Sequence, residues 1–366
     1  MSTQSIRIPM PPGRKASTTN LPNYYREFQE GMDTFHDPLA SVSPTVFTMN
    51  TRTLKGRTLD RRLGYGLTGA RGTLSDKVYM SATKESLNGD DLMLRIIDAS
   101  PTTVKLQKYT TAGGWVNIGA AFGTVNDKVD FFWFNTVIAG EARTYFTNGV
   151  SNLMYTNGAS YTVVTDGVDD IKGKFIAGVE NTMVLANLTS TFTANQLVYA
   201  KAGSDQFRRD TDTDYPSSSR VITLDGEITQ CVRFGWLIYI FTKADGLWEL
   251  DLSTGIPRVV DTNGTIAPKS VAVGQNMMIW ASQTGIWGMT LGGSVQRLSD
   301  PISELYDSID IANITELTGT ITPDGLYKLW IGDIEYEGET YLDTELIYDI
   351  LMSRRIGKLV WRADNN

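Results

Sequence analysis

A glycine-rich stretch is the first feature of this sequence that could carry chemistry. Gly64–Gly69 matches GxGxxG, the glycine pattern of a dinucleotide-binding turn. Such a turn must follow a buried parallel strand and must open a helix whose N-terminus meets the pyrophosphate. The preceding residues, Thr58–Leu63, are mostly polar, and Gly72 and Thr73 would interrupt a helix after the turn. A flexible lead-in to the following domain is therefore the better interpretation.

A second candidate is a run of alternating carboxylates. Asp210, Asp212 and Asp214 occupy the first, third and fifth positions of a calcium-type loop. That loop needs Gly at its sixth position and Glu at its twelfth, where this chain has Tyr215 and Val221. The pattern therefore predicts a surface loop between repeats rather than a metal site.

Histidine and cysteine, the residues most often used in catalysis and metal binding, occur once each. A single cysteine excludes cysteine-rich zinc sites. Because His36 is the only histidine, a catalytic triad that contains histidine would have to use it. Cys231 lies in an apolar segment and is predicted to be buried. A pair of catalytic carboxylates of the glycosidase type is not excluded by the sequence, because the distance between the two groups is set by the fold. We predict no catalytic residues, no metal and no cofactor.

Charge is distributed unevenly along the chain. Residues 1–72 carry ten Lys/Arg and five Asp/Glu, whereas the remainder carries 23 Lys/Arg and 36 Asp/Glu. The net charge of −8 is therefore the sum of a basic N-terminal segment and an acidic body. An acidic body discourages tight binding of a polyanion. No apolar run approaches the roughly 18 residues that span a bilayer, and the start lacks the apolar core of a secretory signal. The sequence predicts neither a membrane span nor secretion.

One basic run in the N-terminal region stands out against this background. Its members are Arg52, Lys55, Arg57, Arg61, Arg62 and Arg71. They could contact DNA phosphates, or they could pair with acidic surface on the same or a neighbouring chain, such as Glu335, Glu337 and Glu339. The run lacks the interleaved aromatic residues of a single-strand binding surface, and pairing with acidic protein surface is the favoured interpretation.

An internal repeat predicts the architecture. Within Val221–Leu298 one pattern occurs twice. It consists of three short runs, each predicted to be a strand, joined by two turns that contain Gly. The runs of the two copies are Trp236–Phe241, Leu247–Leu252 and Arg258–Asp261, then Met277–Ala281, Ile286–Leu291 and Gln296–Asp300. A sheet connected by hairpins cannot bury both faces alone, so neighbouring copies must stack on each other. This arrangement is typical of the blades of a β-propeller.

Six such phrases follow one another from about residue 75 onward. Their third strands are predicted to begin at Val104, Leu153, Leu197, Leu247, Ile286 and Leu346, at intervals of 39 to 60 residues. The fourth strands that follow are predicted to begin at Trp115, Tyr161, Phe207, Arg258, Gln296 and Lys358. Four-stranded blades run about 40–50 residues, so the last and longest interval should contain an insertion. Eight Asn-Gly or Asp-Gly pairs between the apolar runs favour tight hairpin turns. One or two β-sandwiches are the alternative, but they do not require a steady repeat.

The sequence therefore predicts an all-β chain of two parts. Residues 75–366 form a β-propeller of about six four-stranded blades. Residues 1–74 form an irregular N-terminal arm that makes inter-subunit contacts. Six prolines in its first 44 residues leave room only for a short helix, for which Asn23–Met32 is the candidate.

Several phrases resemble a known family. The Arg57–Gly64 passage leads into a propeller containing Asp76–Ser81, Gln196–Phe207 and Leu346–Ile350. This arrangement is similar to the propeller-bearing tail hub and tail nozzle proteins of short-tailed bacteriophages, which include the packaged-DNA stabilisation and tail tubular proteins. The chain is short for that family, so a second platform domain is not expected in it.

The resemblance implies a structural virion protein and not an enzyme. In that family the subunits form a ring, usually of six, which extends the DNA channel, retains packaged DNA and conducts it during ejection. The implied partners are further copies of the chain, portal or adaptor proteins above, tail fibre or tip proteins, and double-stranded DNA passing without sequence-specific binding. The implied location is the virion tail, after synthesis in the host cytoplasm.

Two other functions remain open. A tail-tip receptor- or carbohydrate-binding propeller would need an aromatic-lined pocket, for which Trp115, Trp133, Tyr161 and Trp287 are candidates. A hydrolase acting on host surface polysaccharide would need a catalytic pair that no spacing in this sequence indicates.

Overall fold

The repeating sheets are present as predicted. A computed structural model describes residues 51–54, 58–61, 77–84, 92–110, 114–164, 172–189, 192–205, 207, 221–243, 246–336 and 338–365. Apart from one short hairpin, its strands form six four-stranded sheets, each built from consecutive antiparallel strands. The prediction of an all-β propeller with six blades is confirmed.

The first three blades are made by residues 78–223. Blade 1 contains β3 (Val78–Lys84), β4 (Leu92–Asp98), β5 (Val104–Thr110) and β6 (Gly114–Phe122). Blade 2 contains β7 (Phe132–Ile138), β8 (Glu141–Thr147), β9 (Met154–Thr156) and β10 (Tyr161–Val163). Blade 3 contains β11 (Gly173–Val179), β12 (Thr182–Leu188), β13 (Gln196–Tyr199) and β14 (Val221–Thr223).

The last three blades are made by residues 228–365. Blade 4 contains β15 (Ile228–Phe234), β16 (Leu237–Thr242), β17 (Gly246–Asp251) and β18 (Ile256–Asp261). Blade 5 contains β19 (Ala272–Gly274), β20 (Met277–Ser282), β21 (Gly285–Thr290) and β22 (Val295–Arg297). Blade 6 contains β23 (Thr318–Ile321), β24 (Leu326–Tyr336), β25 (Glu339–Asp349) and β26 (Trp361–Asn365).

The remaining described elements are short. A hairpin of β1 (Thr51–Leu54) and β2 (Thr58–Arg61) precedes the blades and lies against β26. Helices α1 (Ser303–Asp307) and α2 (Ile311–Ile314) connect blade 5 to blade 6. Helix α3 (Ile350–Ile356) separates the last two strands of blade 6. Helices α1 and α2 and the 11-residue strands β24 and β25 account for the insertion predicted in the longest interval, between Ile286 and Leu346.

Apolar side chains join each blade to the next. The second strands of blades 3, 4 and 5 are buried on both faces, which explains why β16 and β20 are continuous apolar runs rather than alternating ones. Between blades 4 and 5, for example, the Phe241 ring meets the Trp280 ring edge to face at 5.3 Å between centroids. Apolar clusters of this kind lie at all five junctions between consecutive blades.

The Asn-Gly and Asp-Gly pairs lie where tight turns need glycine. Five of the pairs in the described ranges place their glycine at positive φ; these glycines are Gly149, Gly158, Gly226, Gly246 and Gly325. At Gly246 a Cβ atom would also come within 2.4 Å of the Asp261 carbonyl oxygen. Only glycine combines this φ with so close a backbone approach.

The repeat alignment was wrong for two outer strands. The phrase beginning at Phe207 was expected to be the fourth strand of blade 3, which is instead β14. The phrase beginning at Lys358 was expected to be the fourth strand of blade 6, where α3 delays that strand to β26. Both errors arise because outer strands carry fewer buried residues, so a later strand can replace the expected one without a change in apolar pattern.

Candidate functional site

The first strands of the six blades surround a central cavity of about 800 Å³. Lining residues come from β3, β7, β11, β15, β19 and β23, so these strands are the innermost of their blades. The lining combines exposed apolar side chains, such as Trp133 and Val273, with the polar residues Ser81, Thr320 and Arg233. This cavity marks the axis of the propeller.

An ion pair crosses one end of the axis. Lys269 Nζ lies 2.5 Å from Asp130 Oδ2, and both side chains are about 30% exposed, at 28% and 32%. The two residues also line a second cavity of about 570 Å³, with Lys174, Lys243 and Glu227 among its other charged residues. The pair therefore separates the central cavity from a charged depression on the surface.

Blade 1 holds the segment that carries Asp130. Lys128 Nζ lies 2.5 Å from Asp98 Oδ1, and the same oxygen accepts a hydrogen bond of 3.0 Å from the Tyr79 hydroxyl. The backbone N–H of Phe131 donates to the carbonyl of Tyr79 at 2.8 Å. Burial, with a contribution from Asp98, raises the pKa of Tyr79 to about 12, so this hydroxyl stays a donor at neutral pH.

The Asp98 carboxylate should contribute to stability in a pH-dependent way. The hydrogen bond from Lys128 lowers its pKa below 3.8, against the opposing effect of burial. A lowered folded-state pKa gives stability that is present above the unfolded-state pKa and is lost as pH falls through the folded-state value. We expect Asp98→Asn to lower the thermal unfolding midpoint by about 2 °C at pH 7, with a difference that shrinks towards pH 2.

Parallel thermal scans of the wild type and Asp98→Asn across this pH range measure the effect. A difference that is the same at every pH would mean that the amide disturbs packing rather than removing a charge interaction.

A second charged cluster joins blades 2 and 3. Arg143 Nε lies 2.7 Å from Glu141 Oε2, and its Nη1 donates to Asp205 Oδ2 at 3.2 Å and to the Tyr145 hydroxyl at 3.3 Å. Its guanidinium also stacks 4.2 Å from the centroid of the Tyr155 ring. The hydrogen bonds of Asn157 and Arg143 lower the pKa of Glu141, which keeps this carboxylate ionised at neutral pH. The cluster fixes one blade against the next.

The structure describes only part of the predicted basic run. Arg52 lies in β1 and Arg61 in β2, with Arg52 opposite Asp60 in the strand register. Their hairpin lies against β26, the outer strand of blade 6. Lys55, Arg57, Arg62 and Arg71 lie outside the described residues, as does the candidate helix Asn23–Met32. The regular hairpin within residues 1–74 was missed from the sequence, because each strand is only four residues long.

The acidic residues proposed as its partner lie on a long hairpin. Strands β24 and β25 have 11 residues each, whereas the middle strands of the other blades have at most seven. The exposed acidic residues at this end are Asp333, Glu335, Glu339 and Asp343. Glu337 lies outside the described residues. The basic hairpin is a separate sheet that contacts β26, and the acidic hairpin is the extended β24–β25 end of the same blade.

The aromatic candidates for a carbohydrate site do not come together. Trp115 lies on β6, Trp133 on β7, Tyr161 on β10 and Trp287 on β21. Trp133 lines the central cavity, whereas Tyr161 lines a separate groove between blades 1 and 2. Trp115 packs under Arg95, with 4.2 Å between the guanidinium and the ring centroid. No single pocket in the described part of the chain contains all four.

The other residues considered from sequence have simple outcomes. Cys231 is buried as predicted, and burial raises the pKa of its thiol. His36, Gly64–Gly69 and Asp210–Asp214 lie outside the described residues. Within the described ranges, no group of His, Cys, Asp and Glu side chains could hold a metal ion. The helices of these ranges include none that is long and apolar enough to cross a membrane.

Comparisons with known proteins found distant structural similarity and no family. No protein family and no curated relative matches the chain. One similar structure is PorZ, a bacterial surface component of the type-IX secretion system of Porphyromonas gingivalis, with TM-score 0.47 and 12% identity. The match covers 79% of this chain and 32% of PorZ, so the chain spans about a third of that protein. Another is YCF48 bound to D1 peptide, with TM-score 0.35, 11% identity, and 64% and 80% of the two chains covered.

Proposed function

We propose that this chain is a structural component of a bacteriophage tail. Copies of it form a ring, the hub or nozzle, which extends the DNA channel, retains packaged DNA and conducts it during ejection. Neighbours in the tail are portal or adaptor proteins above and fibre or tip proteins beyond. The resemblance of the blade phrases to tail hub and nozzle proteins supports this proposal.

The uneven distribution of charge along the chain is the main observation behind this proposal. The first 72 residues have a net charge of +5, and the rest of the chain has −13. A basic segment and an acidic body in each copy favour head-to-tail association, in which the arm of one copy meets the body of the next. The same acidic body suits a channel wall, because a wall that bound phosphates tightly would retard DNA.

The ion pair at the propeller axis supports a particular route for DNA. Asp130 and Lys269 meet across the axis, so a nucleic acid has no free path through one propeller. DNA would run through the middle of the ring of copies, past the outer surfaces of the blades. In this arrangement the basic run locks the copies together, and the acidic blade surfaces line or flank the channel.

Sedimentation of the purified full-length chain tests the proposal. The wild type should form a ring-sized oligomer at low salt. A triple variant of the basic run, Arg57→Gln with Arg61→Gln and Arg62→Gln, should shift it towards monomer by about tenfold or more in dissociation constant. The control changes three exposed basic residues on the propeller, Lys243→Gln with Arg354→Gln and Arg355→Gln, and should leave the oligomer intact.

Two results would count against the proposal. A wild-type chain that stays monomeric at all concentrations, and that binds neither a portal nor an adaptor, would remove the ring. Equal loss of assembly in the control would show that total charge matters rather than the basic run.

A further inference from the structure

Hydrogen bonds fix the connection between blades 4 and 5, which carries Lys269, just as contacts with blade 1 fix the segment that carries Asp130. The Tyr327 hydroxyl of blade 6 donates to the Ser270 carbonyl at 2.9 Å. Gln230 of blade 4 donates from Nε2 to the Pro268 carbonyl at 2.8 Å. Blades 4 and 6 therefore fix the short turn Pro268–Ser270, and the Lys269 side chain reaches the axis from a rigid base.

The Asp130–Lys269 pair joins opposite sides of the ring. Asp130 precedes the first strand of blade 2 and Lys269 precedes that of blade 5, three positions away in a ring of six. The other ion pairs within the described ranges join residues of one blade or of adjacent blades. A contact across the axis resists a widening of the whole ring.

The junction between blade 6 and blade 1 is where the ring closes. Each blade consists of consecutive strands, so in the described part of the chain no strand of one of these two blades pairs with the other. Ring closure at this junction therefore relies on the packing of side chains.

Polar side chains, together with the buried Ile97 and Ile347, occupy the two faces that meet at this junction. Leu106 of blade 1 packs towards blade 2, and Leu346 of blade 6 packs towards blade 5. Because side chains alternate along a strand, the adjacent residues Gln107 and Glu345 face the closing junction. Gln107 donates to Asn117 at 2.8 Å and accepts from Arg95 at 2.9 Å, and Glu345 pairs with Lys328 at 3.2 Å.

We propose that Asp130 and Lys269 form an axial brace that keeps the propeller closed at the junction of blades 6 and 1. The brace ties together two connecting segments on opposite sides of the axis, so a widening of the ring must first separate the ion pair. Since an ion pair that is one-third exposed is weakened by salt, the brace makes ring closure sensitive to ionic strength.

Distances between spin labels test the brace in the full chain. One label pair, on Thr102→Cys and Thr340→Cys, reports on the junction of blades 1 and 6. A control pair, on Thr193→Cys and Lys243→Cys, reports on the junction of blades 3 and 4. All four positions are exposed, and the native Cys231 is buried and should not react with the label.

At low salt we expect one narrow distance distribution for each label pair in the otherwise unchanged chain. Asp130→Asn or Lys269→Gln should increase a longer-distance population about three- to fivefold for the Thr102–Thr340 pair and leave the control pair unchanged. The exchanged variant, Asp130→Lys with Lys269→Asp, should restore the narrow distribution. In the wild-type background, 1 M NaCl should reproduce the effect of the single variants.

Three outcomes would overturn the brace. The Thr102–Thr340 distances could stay unchanged in both single variants, both label pairs could broaden equally, or the exchanged variant could behave like the single ones. If the variants fail to fold, the salt experiment decides, because distances that do not respond to 1 M NaCl contradict the proposal.

Discussion

Replacing Trp361 with alanine is expected to lower the free energy of unfolding by about 3–5 kcal/mol, the usual cost of truncating a buried tryptophan. Trp361 is 1% exposed and is among the largest fully buried side chains of the propeller. Its ring packs on Tyr348 at 5.0 Å between centroids. Its indole N–H donates to the carbonyl of Leu298 at 2.7 Å, so one side chain of blade 6 also bonds the end of blade 5.

Denaturant titrations of three variants separate these contributions. Trp361→Phe keeps most of the apolar volume but leaves the Leu298 carbonyl without this donor, and should cost about 1–3 kcal/mol. Trp330→Ala is the matched control, because Trp330 lies in the same blade but is 41% exposed, and it should cost less than about 1 kcal/mol. Equal costs for Trp361→Ala and Trp330→Ala would contradict the placement of Trp361 in the core between blades 5 and 6.

Replacing Arg143 with methionine should lower the free energy of unfolding by about 3 kcal/mol. The side chain is 15% exposed and bonds Glu141, Tyr145 and Asp205. Methionine fills a similar volume but leaves two carboxylates without their cation. Most of the expected loss is therefore the cost of partly buried charges that are no longer paired.

A lysine variant at this position distinguishes the contribution of the positive charge from that of the guanidinium geometry. Arg143→Lys keeps the positive charge but offers one nitrogen in place of the planar guanidinium, so it should recover only part of the loss. Arg258→Met is the control, because Arg258 is 76% exposed and its pairing with Glu249 should contribute less than about 1 kcal/mol. A full recovery by lysine would mean that the stacking on Tyr155 and the three-way bonding are unimportant.

The repeating parts of the fold could be predicted because they follow from local patterns. Apolar runs such as Leu247–Leu252, separated by Asn-Gly or Asp-Gly pairs, predict hairpins without knowledge of distant residues. Their recurrence then predicts stacking, since each sheet exposes apolar faces that only a neighbour can cover. This reasoning gave six blades and located the third strand of each one.

The charged contacts could not be predicted because they depend on ring closure. Arg143 and Asp205 are 62 residues apart and meet only when blades 2 and 3 stack. Asp130 and Lys269 are further apart still, and they meet only when opposite blades face each other across the axis. In the sequence, all four are ordinary charged residues, and no spacing distinguishes them from solvated ones.

Electron cryomicroscopy of the assembled full-length chain, alone and with a portal or adaptor protein, tests the central claim most directly. We expect a closed ring of copies, with acidic blade surfaces beside an open central channel and with Arg57, Arg61 and Arg62 at contacts between copies. Single propellers that never associate would contradict the tail-ring function. A ring with those three arginines along its lumen would reverse the roles proposed for the basic run and the acidic body.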